Sequence, residues 1–217
     1  MTAPPDLAAD RGRALALTPV SRETLGRLDR FVELLLETQS HTNLIGPGTI
    51  PELWTRHIAD SLQLLDLAPD AKVWVDLGSG AGFPGLVIAC ALAGQPGAAV
   101  HLVESTGKKA AFLRNVVEAL ALPATVHHMR AESFSPSFRI DVITARALAP
   151  LGKLFGYVAP LLESGAKALL PKGQDVEAEL TEAAKYWKVE AELVASRTNP
   201  GGRIVVVRTL QRRTRAH

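Results

Sequence analysis

Leu25, Leu28, Val32, Leu35 and Leu36 recur at helical spacing with charges on the other side. They follow Thr18-Pro19, a capping residue and a proline suited to a first helical position, so an amphipathic helix is expected to end near Ser40. Gly46-Pro47-Gly48 breaks the chain, and Leu53, Trp54, Ile58, Leu62 and Leu65 mark a second helix over 51–67. Strands and helices then alternate: strand 73–77, helix 84–93, strand 99–104, helix 107–120, strands 124–129 and 139–144, helix 150–162, strand 166–171, helix 175–186. Such alternation with short connections predicts an α/β fold with a mainly parallel sheet covered on both faces. The runs 189–196 and 203–210 read as strands joined by the turn-rich Arg197-Thr198-Asn199-Pro200-Gly201-Gly202, which predicts a terminal antiparallel hairpin.

The first strand empties into a glycine turn, Val73-Trp74-Val75-Asp76-Leu77-Gly78-Ser79-Gly80-Ala81-Gly82-Phe83-Pro84-Gly85. Glycines there permit positive φ and remove the Cβ atoms that would fend off a nucleotide. Gly80 to Gly85 satisfies the G-x-G-x-x-G pattern of dinucleotide enzymes, a weak signal. The register speaks against that class: Asp76, Gly78, Gly80 and Gly82 form a D-x-G-x-G-x-G string, which resembles the first motif of Rossmann-like class I S-adenosylmethionine-dependent methyltransferases. A pyrophosphate needs helix N–H groups for its charge, whereas adenosylmethionine carries a sulfonium cation and no phosphate. A hairpin closing an otherwise parallel sheet also belongs to the methyltransferase fold, so a seven-stranded sheet with a helical N-terminal extension is expected.

At 217 residues with 47% hydrophobic content, one compact domain is the default, divided into a helical extension over 1–68, a core over 69–210 and a basic tail over 211–217. A formal net charge of +2 does not announce a nucleic-acid binder, but Arg208, Arg212, Arg213 and Arg215 crowd the C-terminus without an acid. The single cysteine, Cys90, lies in an apolar helical run, so no intrachain disulfide can form. No apolar run approaches the roughly 18 residues of a membrane span, and a soluble cytoplasmic protein is expected. No metal site is expected either, since His127 and His128 point to opposite faces of a strand.

Ligands lie beyond the carboxyl ends of the strands in such sheets, which makes strand-end residues candidates by position. Glu104 closes the second strand and can accept both ribose hydroxyls. Arg130-Ala131-Glu132 follows the third, where a Glu side chain and a backbone N–H can together read adenine. Arg146 follows the fourth and can clamp either the methionine carboxylate or a substrate phosphate. As to the acceptor atom, Cys90 is badly placed for the nucleophile that pyrimidine C5 methylation commonly uses, and Thr144-Ala145-Arg146-Ala147 replaces the Asn/Asp-Pro-Pro-aromatic string of exocyclic-amine enzymes. A ring nitrogen such as guanine N7 needs neither, and the sequence is compatible with it.

The combined strings resemble the bacterial small-subunit ribosomal RNA methyltransferase G family, also called glucose-inhibited division protein B. The matching residues are Asn43-Leu44, Arg56-His57-Ile58-Ala59-Asp60-Ser61, the stretch 76–85, Glu104-Ser105, Lys108-Lys109, Phe112-Leu113, Ala131-Glu132, Ala145-Arg146-Ala147 and Lys172-Gly173-Gln174. The R-H-x-x-D-S string is the specific part. The resemblance implies methyl transfer from adenosylmethionine, leaving adenosylhomocysteine, to N7 of a guanosine in 16S rRNA near the decoding centre; the expected partner is that RNA within the small subunit or an assembly intermediate, and a monomer without membrane contact is expected. It implies cofactor contacts at Gly78, Phe83, Ala131, Glu132 and Arg146.

On a wheel of about 100° per residue, His57 and Ser61 interrupt the inward face of helix 51–67, with Asp60 at its edge. Two readings stand: a hydrogen-bonded tie to the sheet, or a wall of the cofactor or guanine pocket. Arg146, His57 and Lys172 are the candidate catalytic residues, and Lys108, Lys109, Lys172, Arg203, Arg208, Arg212, Arg213 and Arg215 the candidate RNA contacts. The alternative function is a methyltransferase acting on a small molecule.

Overall fold

The computed structural model describes residues 7–163 and 165–213. Its strands are β1 (Val73–Leu77), β2 (Ala99–Glu104), β3 (Ala124–His128), β4 (Val142–Thr144), β5 (Lys167–Lys172), β6 (Trp187–Ala195) and β7 (Arg203–Arg212). They form one seven-stranded sheet in the order β3-β2-β1-β4-β5-β7-β6. β1 to β5 run parallel, and β7 is antiparallel to both β5 and β6. Chain order reverses between β1 and β4, and the crevice at such a switch point is where open α/β sheets hold ligands.

Both faces of the sheet are covered, which is why β1 is apolar on alternate sides. Trp74 joins Leu102 and Leu169 beneath α2 (Arg22–Gln39), α4 (Gly85–Leu92) and α5 (Gly107–Ala119), which contribute Phe31, Leu86 and Leu113. Val75 and Leu77 face α6 (Leu151–Leu162) and α7 (Val176–Ala184), which contribute Phe155, Val158 and Val176. The helical extension therefore shares a core with the sheet: Leu28, Leu35, Trp54 and Ile58 belong to the same apolar cluster as Trp74.

Three sequence expectations are corrected. Thr18-Pro19 does not open a helix; Thr18 closes α1 (Ala8–Leu17), and α2 starts after Ser21, whose Oγ accepts the Thr24 N–H at 3.2 Å. The first helix escaped notice because it buries only Asp10 and Ala14, leaving no apolar stripe to read. It docks by a polar contact: Asp10 accepts the Trp54 N–H at 2.7 Å and the Thr55 hydroxyl at 2.6 Å. The expected helix 51–67 is three pieces, a 3-10 turn (Pro47–Glu52), a π-helical turn (Trp54–Ala59) and α3 (Asp60–Asp66). Pro51 has no N–H to continue an α-helical ladder, and the 3-10 turn occupies its place. Finally, β7 continues through Arg212, so the boundary expected after residue 210 falls inside a strand. Arg215 lies outside the described residues. Among those described, no helix is long and apolar enough to cross a membrane.

Candidate functional site

Because β1 to β5 are parallel, their carboxyl ends lie along one rim. The strand order sets the expected contacts in a row: Ala131 and Glu132 after β3, Glu104 on β2, the glycine turn after β1, Arg146 after β4, and Lys172 on β5. Within the turn Gly80 has φ +57°, and a Cβ built there would meet nothing nearer than the Gly78 carbonyl oxygen at 3.8 Å. Open space over a left-handed glycine is what an approaching ligand requires. Gly78 and Gly82 serve packing as well: a Cβ at Gly78 would lie 2.6 Å from Leu148 Cδ1, and one at Gly82 would collide with Leu86.

Two acids frame this turn. Glu104 accepts the Gly80 N–H through Oε2 at 2.9 Å and the Thr106 N–H through Oε1 at 2.6 Å, so its carboxylate is fixed against the glycine turn. Asp76 is 1% exposed; Oδ1 accepts the Thr144 hydroxyl at 2.8 Å and Oδ2 the Gly85 N–H at 3.1 Å. Burial raises its pKa to about 6, opposed by the hydrogen bonds from Thr144, Ser79 and Gly85 and by the Arg146 charge. Asp76 braces the turn and the start of α4 from beneath. An acid under that helix N-terminus disfavours a pyrophosphate and suits a cationic ligand. The donor set therefore fits the sulfonium cofactor better than a dinucleotide.

Arg146 sits at the centre of the second cluster. Nη2 donates to His57 Nδ1 at 2.7 Å, and Nη1 donates to the Arg56 carbonyl at 3.0 Å and reaches Asp60 Oδ2 at 3.4 Å. His57 Nε2 lies 3.0 Å from Thr49 Oγ1, and Ser61 Oγ donates to the His57 carbonyl at 2.6 Å. Burial, reinforced by Arg146 and Arg56, holds the His57 pKa down at about 3. The same burial lowers the Arg146 pKa, with Asp60 opposing it. His57 and Asp60 thus form a hydrogen-bonded tie to Arg146 after β4, as the first reading of R-H-x-x-D-S expects.

Other expected residues are placed differently. Phe83 is 4% exposed, stacked on His57 at 4.8 Å between ring centroids and packed against Phe31 at 5.3 Å. Its ring fastens the helical extension to the glycine turn. Lys172 donates to Glu179 at 2.8 Å and to the Ala149 carbonyl at 2.9 Å. It is a strut, since the same Glu179 oxygen accepts the Leu151 N–H at the start of α6. Glu132 is exposed and accepts the Tyr157 hydroxyl at 3.1 Å. Lys108 and Lys109 stand in the first turn of α5, beside the glycine turn's rim.

The described arginines of the C-terminal strand are spread along it. Arg203 pairs with Lys172 at the rim, and β7 then runs away antiparallel, which carries Arg212 about 30 Å off. Arg208 lines a recess with Arg139, Asp141 and Lys167 at the amino ends of the parallel strands, and Arg213 bonds to Tyr186 and Trp187.

Beside Arg146, between the π-helical turn and the hairpin turn, opens a cleft of about 510 Å³ lined by Arg56, Asp60, Arg146, Lys172, Thr198 and Arg203 among others. Arg56, Thr49, Thr144 and Thr198 were not singled out from sequence. Only Arg56 carried a signal, its place in the R-H-x-x-D-S string.

A parallel sheet ended by an antiparallel hairpin, with a glycine turn after β1 and an acid closing β2, is the architecture of class I S-adenosylmethionine-dependent methyltransferases. A protein from Klebsiella pneumoniae provisionally assigned as an O-methyltransferase shares this fold, with a TM-score of 0.58, 14% identity, and coverage of 93% of this chain and 96% of that one. A SAM-dependent methyltransferase from Aquifex aeolicus gives a TM-score of 0.55 at 14% identity, over 72% of this chain and 92% of the other. The family model for rRNA small subunit methyltransferase G matches residues 24–203. The ribosomal RNA small subunit methyltransferase G of Bradyrhizobium sp. strain BTAi1 is 61% identical over 208 residues, covering 95% of this chain and 94% of that protein. Its counterpart in Rhodopseudomonas palustris strain BisA53 is 56% identical over 97% of this chain and 92% of its own length. The chain belongs to the rRNA small subunit methyltransferase G family.

Proposed function

We propose that this chain transfers the methyl group of S-adenosylmethionine to N7 of a guanosine in 16S rRNA, near the decoding centre, and releases S-adenosylhomocysteine. The observation that carries the reading is the adjacency, along one sheet rim, of an acid-framed glycine turn and a cationic cleft, in a chain of this family. When bound, the cofactor supplies an electrophilic methyl group on a sulfonium. Glu104, already fixed at the turn, accepts the ribose hydroxyls, while Glu132 and the Ala131 N–H face the adenine end of the row. Arg146 borders the point where the two halves of the site meet.

Guanine N7 presents a lone pair and loses no proton, so alignment suffices and no general base is needed. The polar groups here suit that chemistry. His57 is neutral, but its Nδ1 is taken by Arg146 and its Nε2 faces Thr49, leaving no nitrogen to accept a substrate proton. Cys90 is wholly buried with its thiol pushed up to about 12, unsuited to a covalent nucleophile. Exposed large apolar side chains are few among the described residues, which fits a monomer, and a ribosomal substrate fits a cytoplasmic protein.

Placing 7-deazaguanosine at the acceptor position of small-subunit RNA tests the atom. The reading expects methylation to be abolished there. Efficient methylation of the deaza nucleotide would overturn it.

A further inference from the structure

Cations outnumber acids in the lining of the cleft beside Arg146, with Arg56, Arg146, Lys172 and Arg203 against Glu52 and Asp60. They differ in how much hydrogen-bonding capacity is already committed. Lys172 is consumed by Glu179 and the Ala149 carbonyl, and Arg146 by Asp60, His57 and the Arg56 carbonyl. Among the described residues Arg203 uses only Nη1, on the carbonyls of Pro200 and Gly202, and its Nε and Nη2 have no partner there. The Arg56 guanidinium is exposed and has no hydrogen bond or ion pair among the described residues. It lines the same cleft as Arg146, and its charge helps lower the pKa of both His57 and Arg146.

Arg56 comes from the π-helical turn of the N-terminal extension and Arg203 from the foot of the C-terminal hairpin, so two separate elements bring guanidinium groups to one cleft. Each has planar N–H pairs to spare, the arrangement that suits a phosphodiester and that a lysine does not reproduce. Like charges brought to one cleft are relieved when an anion enters.

We propose that Arg56 and Arg203 form a two-sided clamp on a backbone phosphate flanking the acceptor guanosine, holding that nucleotide against Arg146. The inference rests on the RNA-methylation reading and deepens it. It separates the cations at the rim into two that grip RNA and two that build the wall. It also gives the extension and the hairpin a shared task, since neither wall alone offers both guanidiniums. The bond from Arg146 Nη1 to the Arg56 carbonyl fixes the clamp relative to the site centre.

The test uses the full chain with Arg56→Gln, Arg203→Gln and the double substitution, and a small-subunit RNA fragment carrying the acceptor guanosine. Binding is followed by fluorescence anisotropy across a salt series, and adenosylmethionine affinity by calorimetry. Each single change should weaken RNA binding about tenfold at low salt, and the double substitution, which releases the one clamped phosphate, should flatten the salt slope by about 0.7. Cofactor affinity should not move. Arg56→Lys should keep the slope and recover only part of the affinity. Replacing the flanking phosphate by a neutral methylphosphonate should weaken binding to the unaltered protein and cost the double variant nothing further. Salt slopes unchanged in all variants, or a methylphosphonate penalty that persists in the double variant, would overturn the clamp. Absence of methyl transfer to 16S rRNA by the unaltered protein would instead overturn the reading on which the clamp rests.

Discussion

Arg146 Nη2 donates to His57 Nδ1 at 2.7 Å, and both groups lie against the same Phe83 ring, the imidazole stacked at 4.8 Å and the guanidinium carbon 5.4 Å above its centroid. A nitrogen that accepts from arginine carries no proton, so the imidazole hydrogen belongs on Nε2, where Thr49 Oγ1 accepts it. One buried, neutral histidine thereby joins the loop after β4 to the helical extension through the glycine turn's own aromatic residue.

Removing the donor strands the acceptor. Arg146→Ala should destabilise the fold by about 1–3 kcal/mol, read by chemical denaturation, because His57 Nδ1 loses its partner while buried. Asn at position 57 offers an acceptor near Nδ1, whereas Gln offers a group near Nε2. His57→Asn should therefore retain more methyl transfer than His57→Gln, and the reverse order would show that the Thr49 contact matters more.

Two glycines of one turn should fail in different ways. Gly80→Val adds atoms into open space over a left-handed backbone, with a strain of about 1–2 kcal/mol, so the protein should fold yet bind adenosylmethionine poorly. Gly82→Ala drives a Cβ into Leu86 and should lower Tm first. Normal cofactor affinity in a folded Gly80→Val variant would remove the turn from the site.

Glu104→Gln places an amide where two N–H donors, from Gly80 and Thr106, need acceptors, and only one can be served. The loss of a charge-assisted bond should weaken adenosylmethionine and adenosylhomocysteine alike by about tenfold or more. Unequal losses for the two ligands in calorimetry would show that Glu104 senses the methyl group and not the shared ribose.

Buried titrations oppose each other in acid. His57, with its pKa depressed to about 3, contributes stability that is whole above pH 6.5 and disappears as pH falls toward 3. Asp76, with its pKa raised to about 6, contributes stability that is whole below pH 3.8 and disappears as pH rises through 6. The slopes offset each other between about pH 4 and 6. Asp76→Asn removes one of them, so its stability should fall more steeply on acidification across that range than that of the unaltered protein. Parallel pH profiles would refute this pairing.

The parallel core was legible in the sequence because its strands are covered on both faces and are mostly apolar, so β1 and β2 match their expected bounds. The glycine turn and Glu104 were legible because strand ends are fixed by that pattern. What escaped was held by polar contacts over long separations. α1 has no apolar stripe and docks through Asp10 on Trp54 and Thr55. Lys172 reads as a free cation because Glu179 reaches it only once α7 folds back, and no local pattern shows Phe31 and His57 closing over Phe83. Nor does the sequence show that β7 carries Arg208 and Arg212 away from the rim that Arg203 touches.

The central claim is tested most directly by incubating the protein with methyl-labelled adenosylmethionine and small ribosomal subunits lacking the modification, then digesting the RNA and identifying the labelled nucleoside by mass spectrometry. The account predicts one labelled species, 7-methylguanosine, recovered from 16S rRNA. Label absent from the RNA although the cofactor binds, or label on any other atom, would contradict it.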